Sequence, residues 1–526
     1  MNGHQKKPMA HGIDMLASAI LAVIAGIAWI LSPRSYIADD SYFYLVIARN
    51  LARYGEESFN RIFPANGFHP LWQYMLALWT WIAGFFDEGW QDSARLVVPV
   101  ATAALCLGLW AIGRLCRGKP LAVLPSIGIP FLFLACFGHL GSEAHIHFCA
   151  LTFLLLAVSS RTFSGHRRSL AIGALGGLLT LSRLDSIFVA LAFVVSLLLE
   201  RRNSRRSIGA RLLEATLALC LMGIVIAPAL LHNLLHHGGL MPVSGWMKSS
   251  FPSYFPKGWF SNGLATAWMG YCVLWGWLPL SVGTLVGVWA WRERDAAAPL
   301  LIGLASGTWC QALYIVLFTR SHTLWVWYYI DPMVLFGLAM GWVTWRIPSR
   351  VSRLGVPSLL ILAALVVPLV AQSRSKRIST GQESEQVRLV RSLPENSTVL
   401  VSDFPGTAAF FSRSLVIAAD FLTANRDTYE SMRKHDNALV YLCQLAARAG
   451  HPLRWIVYSG NTWLRVDKDT GLIEYNDPRA YPSDKVIGRL RLGMPVIVTA
   501  ITAWRLDDDC VNPEEQQAGP ATGRSL

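Results

Sequence analysis

The sequence predicts a mainly α-helical, polytopic membrane protein that ends in a small α/β domain. Of its 526 residues 53% are hydrophobic and only 15% charged, with a mean hydropathy of +0.39, whereas a soluble domain carries about a quarter charged residues. The apolar residues fall in blocks of about 20, the length that crosses the hydrocarbon core of a bilayer. From residue 373 the pattern changes to short β-rich runs between polar helical stretches. Together these exclude a soluble enzyme, a fibre and a disordered chain.

Taken in order, the apolar blocks lie near 12–32, 70–87, 95–113, 121–138, 144–160, 170–199, 212–231, 264–291, 299–318, 323–346 and 355–372, which predicts eleven to twelve helices. Block 12–32 follows Lys6 and Lys7 and lacks a small-residue cleavage site, so it reads as a first spanning helix with a cytoplasmic N-terminus, not a removed signal. Block 170–199 carries Arg183 and Asp185 at its middle. A charge facing lipid there costs several kcal/mol, so two helices meeting at a charged turn are expected. Counted back from the end of the membrane part, the loops with Arg346, Arg350 and Arg353, with Arg292 and Arg294, with Arg201 to Arg211, and with Arg161 to Arg168 all fall inside, which puts residues 373–526 outside. Counting forward from the N-terminus puts Arg114, Arg117 and Lys119 outside, and counting backward puts them inside. One block before residue 160 is therefore expected to be half-inserted or miscounted.

The membrane part spans residues 1–372, with an outer loop at 33–69. Residues 373–510 read as an extracytoplasmic α/β domain, with strands at 397–402, 415–419, 455–458 and 495–501 and helical text at 426–449. Residues 511–526 are rich in Pro, Gly, Glu, Gln and Ser and read as a disordered tail. No internal repeat is visible. Of the net charge of +13, +12 sits in the membrane part, where 27 Lys and Arg face 15 Asp and Glu, against 19 and 18 beyond residue 372. Its clustering in short loops is a topology signal, not a nucleic-acid-binding face. The nine cysteines form no C-x-x-C pair, and most lie in apolar segments as packing residues. Cys443 and Cys510 stand alone in the polar part, where an extracytoplasmic location would permit a disulfide.

The loop after the first block holds the most chemistry. It reads Ile37-Ala-Asp-Asp-Ser-Tyr-Phe-Tyr and continues through Ala48-Arg-Asn-Leu-Ala-Arg-Tyr-Gly55 to Asn66-Gly-Phe-His-Pro-Leu-Trp72. Asp39 and Asp40 have a plain reading as the N-cap of a helix over 41–54 and a functional one as paired carboxylates at a membrane exit. Aromatics at 42, 43 and 44 suit that helix to the membrane surface, and the segment at 66–70 then turns the chain back into the bilayer.

On these residues the chain resembles the GT-C superfamily of membrane glycosyltransferases, which use polyprenyl-phosphate sugars, and in particular its mycobacterial arabinofuranosyltransferase branch and bacterial relatives. The likeness lies in the acidic pair, the Ala-Arg-Asn-Leu-Ala text and the Gly-x-x-Pro-Leu-Trp segment. It continues in Gly141-Ser-Glu-Ala144, Ser182-Arg-Leu-Asp185, the loop from Asn233 through Gly239-Leu-Met-Pro242 to Lys248, Asp403-Phe-Pro-Gly406 with Phe410 to Ser412, and Asp420-Phe-Leu-Thr423. Ser142, Ala144 and Leu184 depart from the family pattern.

The resemblance implies a polyprenyl-phosphate-sugar donor, a glycan, lipid or protein acceptor, an inverting transfer, and a site at the outer face of a bacterial plasma membrane. An acceptor hydroxyl needs a positioned carboxylate to take its proton, which Asp39 or Asp40 would supply, with Glu143 as a second catalytic carboxylate or a partner of His145 or His147. The growing charge on the leaving phosphate calls for cations. Arg183, Lys248, Arg320 and His322 fall on the outer side, although Arg183 also reads as the ion-pair partner of Asp185 and Lys248 as a snorkelling lysine. His69, Asp185 and Tyr328 are the expected substrate contacts, with Tyr328 also part of an aromatic belt. No metal site is legible; carboxylates at 39, 40 and 143 leave room for a divalent cation if the fold brings them together. Intramembrane charges also mark transport paths, so a transporter or flippase of a lipid-linked or small solute is the competing class, and a scaffold protein would leave the acidic pair unexplained.

Overall fold

The computed structural model describes residues 37–117, 119–137, 141–160, 165–199, 207–248, 273–319, 326–346, 385–402, 404–458, 464–467, 472–476, 486–491, 497–498 and 502–505. The expected first spanning helix, the block at 355–372 and the tail from 511 lie outside these residues. Among the described residues nine long helices and three others belong to the membrane part: α1 (Asp39–Tyr54), α2 (Pro70–Gly84), α3 (Val97–Leu115), α4 (Pro120–Phe137), α5 (Ala144–Ser159), α6 (His166–Ser182), α7 (Ile187–Leu199), α8 (Ile208–His237), the short α9 (Val243–Lys248), α10 (Leu278–Arg292), α11 (Ala298–Phe318) and α12 (Ile330–Arg346). Three stretches among the described residues, Ala94–Leu115, Ile208–His237 and Ala298–Phe318, are each long and apolar enough to cross a bilayer alone.

Local chemistry sets the helix ends. Gly55 closes α1 in the left-handed conformation, Pro70 opens α2 at a position whose N–H needs no partner, and the Ser207 hydroxyl accepts from the Ala210 amide at the start of α8. The expected break in block 170–199 is present. Arg183 is extended, and a 3-10 turn over Leu184–Ser186 separates α6 from α7. Helices α6 and α8 run side by side because Gly173 and Gly177 let the backbone of one approach Ala218, Met222 and Val225 of the other. One apolar core, including Phe148, Phe193, Leu304 and Val334, runs through α3 to α8 and α10 to α12.

Block 70–87 is not a span. The chain returns from the 15-residue α2 to the side it left, as its contacts show. Asp92, just beyond α2, pairs with Arg49 and Arg53 on α1 at 3.2 and 3.0 Å, and Val97 lies against Gly141 beside Ser41. Helix α2 thus enters and leaves the bundle on one side, which accounts for the clash in the charge count. With it removed from the count, α3, α5, α7, α10 and α12 end, and α4, α6, α8 and α11 begin, at the same arginine-rich end of the bundle.

The C-terminal residues form α13 (Glu385–Ser392), α14 (Pro405–Phe411), α15 (Arg426–Lys434) and α16 (Ala438–Arg448) with strands β1 (Thr398–Val401), β2 (Leu415–Ala418), β3 (Leu453–Tyr458), β4 (Leu464–Asp467), β5 (Leu472–Asn476), β6 (Val486–Arg491), β7 (Ile497–Val498) and β8 (Thr502–Arg505). One sheet has the order β2-β1-β3-β8-β7, with β1 parallel to both neighbours and β8 antiparallel to β3; β4-β5-β6 form a second, antiparallel sheet. Cys443 on α16 is disulfide-bonded; Cys510 lies outside the described residues.

Helix α1 does not lie free on a membrane surface. Tyr42, Leu45 and Val46 share one buried core with Val399, Val401, Ala408 and Phe410 of the α/β domain, and the Tyr42 ring sits 5.2 Å from both Phe410 and Phe411. Its aromatics cover protein, so α1 is a floor between bundle and domain. Gly67 extends the same contact: a Cβ there would overlap the Leu422 carbonyl, and the Asn66 amide donates to Ala424 O while its side chain accepts from the Val243 amide.

Candidate functional site

The site lies where the domain end of the bundle meets α1. Asp39 and Asp40 both fall in the first turn of α1, whose N-cap is Ala38, so neither caps its own helix. They part at once. The Asp39 carboxylate accepts from the Gly406 amide at 3.2 Å and from the Thr407 amide and hydroxyl at 2.6 Å each. It caps α14 of the α/β domain, where the free amides of a first turn favour an anion. Burial pushes its carboxyl up to about 7 against the pull of the Thr407 side-chain and backbone donors, with the Asp40 charge pushing the same way. Asp40 makes no hydrogen bond to another described residue. Burial raises its proton affinity; the positive charge of Lys248 opposes this and the negative charge of Glu143 adds to it.

Around Asp40 the chain assembles residues from five places in the sequence. Glu143 precedes α5 and is 3% exposed. It holds the Arg183 guanidinium at 3.3 Å, accepts from the Tyr44 hydroxyl at 3.3 Å and lies 3.6 Å from His69 Nε2. Its partners are these, not His145 or His147. Arg183, itself 2% exposed, also donates to both oxygens of Asp185 at 3.2 and 3.0 Å, and its guanidinium stacks 4.2 Å from the Tyr328 ring centre. Gln311 donates to Asp185 at 3.2 Å. Lys248, at the end of α9, lies within electrostatic reach of Asp40, Arg183, Glu143 and Tyr328. Desolvation is the largest influence on His69 and lowers its proton affinity, while Glu143 pulls the other way. Of the expected site residues Asp40, Glu143, Arg183, Asp185, Lys248, His69 and Tyr328 therefore converge. Asp39 turns to the domain instead. Arg320 and His322 lie outside the described residues.

Behind Arg183 is a second buried set that sequence reading missed. His147 lies 2.9 Å from Asp331 through Nε2 and 3.1 Å from Ser182 through Nδ1, which ties the N-termini of α5 and α12 to the end of α6. Trp72 donates to the Gly141 carbonyl at 2.7 Å, and Gly141 has a φ of +89° with no space for a side chain against Ser41. Tyr44 and His147 carry a signal in hindsight, a polar group in an apolar helix, but their partners are 99 and 184 residues away.

The carboxylates at 39, 40 and 143 do not form a cation site here: Asp39 is engaged by α14, and Glu143 by Arg183, Tyr44 and His69. The arrangement instead offers one carboxylate without a hydrogen-bond donor among the described residues, within electrostatic reach of Lys248, a layout for accepting a proton next to a developing anion.

Helical bundle, α1 and α/β domain together follow a fold already seen in solved membrane-protein structures. The solved structures it is similar to include ArnT from Cupriavidus metallidurans bound to undecaprenyl phosphate, at a TM-score of 0.52 and 11% identity over 94% of this chain and 98% of that one. The apo state of the same protein matches at 0.51 and 14% over the same shares. No protein-family profile matches the sequence, and no curated protein does.

Proposed function

We propose that this protein transfers a sugar from a polyprenyl-phosphate donor to a glycan, lipid or protein acceptor. The observation that carries this is the separation of the acidic pair: Asp39 is tied to α14, while the Asp40 carboxylate has no donor among the described residues and lies within electrostatic reach of Lys248 and Glu143. In the reaction the acceptor oxygen bonds to the anomeric carbon as the bond to the phosphate oxygen breaks; the acceptor proton passes to Asp40 and the polyprenyl phosphate leaves. A single displacement of this kind inverts the anomeric centre. Lys248 and Arg183 take the charge that grows on the phosphate, and Glu143 holds Arg183, Tyr44 and His69 in place.

Supporting this reading, the GT-C fold is shared with an ArnT whose structure contains undecaprenyl phosphate. The arabinofuranosyltransferase branch rests on the motif resemblance alone. The positive-inside rule supports a cytoplasmic arginine-rich end of the bundle, and with it an Asp40 site and an α/β domain at the outer face of a bacterial plasma membrane. The disulfide of Cys443 agrees with an oxidising compartment.

Native mass spectrometry of the purified protein, with lipid extraction, tests the donor class. A co-purifying polyprenyl phosphate that is lost in Lys248→Met is expected. Added polyprenyl phosphate that fails to bind the wild type removes the proposal.

A further inference from the structure

We propose that Glu57, His232 and His237 form a zinc site apart from the Asp40 cluster. Glu57 Oε2 lies 2.7 Å from His232 Nε2 and 2.9 Å from His237 Nε2, and the three ligand atoms all fall within 4.8 Å of one another. A zinc ion with bonds of about 2.0 to 2.2 Å to nitrogen and oxygen holds neighbouring ligand atoms roughly 3.3 Å apart. Opening the cluster by about half an ångström would seat it.

The surroundings match a metal site better than a carboxylate shared by two imidazoles. The other Glu57 oxygen accepts from the Tyr74 hydroxyl at 2.8 Å, the kind of outer hydrogen bond that orients a ligating carboxylate. His237 is 2% exposed, and its ring lies 5.4 Å from that of His232, so both imidazoles are held against the same carboxylate. The cluster opens on a cavity of about 410 Å³ that is also lined by Glu56 and His236, giving the ion a route in and a water for its fourth position. Two imidazoles and one carboxylate suit zinc, whereas calcium and magnesium favour all-oxygen sets.

The location gives the ion a structural task. Glu57 follows α1, which carries Asp40, by three residues, and His232 and His237 close α8, which leads into α9 and Lys248. An ion here would clamp together the two segments that hold the carboxylate and the lysine of the main site.

The test needs no substrate. Tag-free, full-length protein in detergent is equilibrated with zinc, desalted and assayed by inductively coupled plasma mass spectrometry, beside Glu57→Gln, His232→Ala and His236→Ala. Stoichiometric zinc in the wild type and in His236→Ala, with a tenfold or greater loss in the other two, is expected. Chelation should then lower the Tm of the wild type and leave that of His232→Ala unchanged; the His232 side chain is 38% exposed, so this variant is expected to fold. A wild type free of zinc, or zinc retained in both Glu57→Gln and His232→Ala, overturns the proposal.

Discussion

The two ends of the helical bundle carry their charge in opposite ways. At the arginine-rich end Arg346 meets Asp295 with its side chain more than a third exposed, and Arg292 is exposed at the end of α10. At the domain end Arg183, Glu143, Asp185, His147 and Asp331 are withdrawn into the structure, and the charges answer one another over distances of about 3 Å. An exposed pair contributes little to stability. A buried network gains little over apolar packing and is costly to break, because the remaining charge is stranded. The first arrangement orients a protein in a bilayer; the second is a place where chemistry has been kept at the expense of easy packing.

The contrast can be broken in order of size. Asp40→Asn keeps the shape and removes the proton acceptor, so transfer should fall by about 10²- to 10⁴-fold while the folded yield holds; near wild-type turnover from a sugar-loaded polyprenyl phosphate would remove Asp40 as the base. Arg183→Met leaves Glu143 and Asp185 buried beside each other without their cation. A loss of about 3 to 5 kcal/mol is expected in denaturant or thermal unfolding. Adding Asp185→Asn should recover part of the stability but not the activity; full recovery of both would make Arg183 a structural partner only.

Lys248→Met gives a finer readout. Asp40 has to be ionised to accept a proton, burial already holds its affinity for protons high, and Lys248 lowers it. Without the lysine the carboxyl titrates at a higher pH, so the acidic limb of kcat/KM should move up in pH, and a limb that stays in place would separate the two residues. Asp39→Asn weakens a cap on α14 and should cost about 1 kcal/mol, visible as faster proteolysis of the α/β domain, with far less loss of transfer than Asp40→Asn. Arg346→Met, at the other end, should change stability by less than about 1 kcal/mol. A large effect there would erase the distinction between the two ends.

The sequence by itself determined the membrane class, the helical blocks, the change of character near residue 373 and the break at Arg183, because each is written in local composition: a run of apolar residues has to cross lipid whatever it packs against. It also exposed a clash in the charge count before residue 160, although only the pairing of Asp92 with Arg49 and Arg53 pointed to α2 as its source. Tertiary structure alone decided the fate of the acidic pair. Asp39 and Asp40 are neighbours with the same chemistry, and what separates them is a helix N-terminus 367 residues further on. The same holds for Glu143, whose partners come from α1, the start of α2 and the end of α6, and for the convergence of Glu57 with His232 and His237. Hydrophobic pattern is periodic and can be read along one strand of text, whereas a hydrogen bond or an ion pair joins two particular atoms, and which two become neighbours is set only when the helices pack.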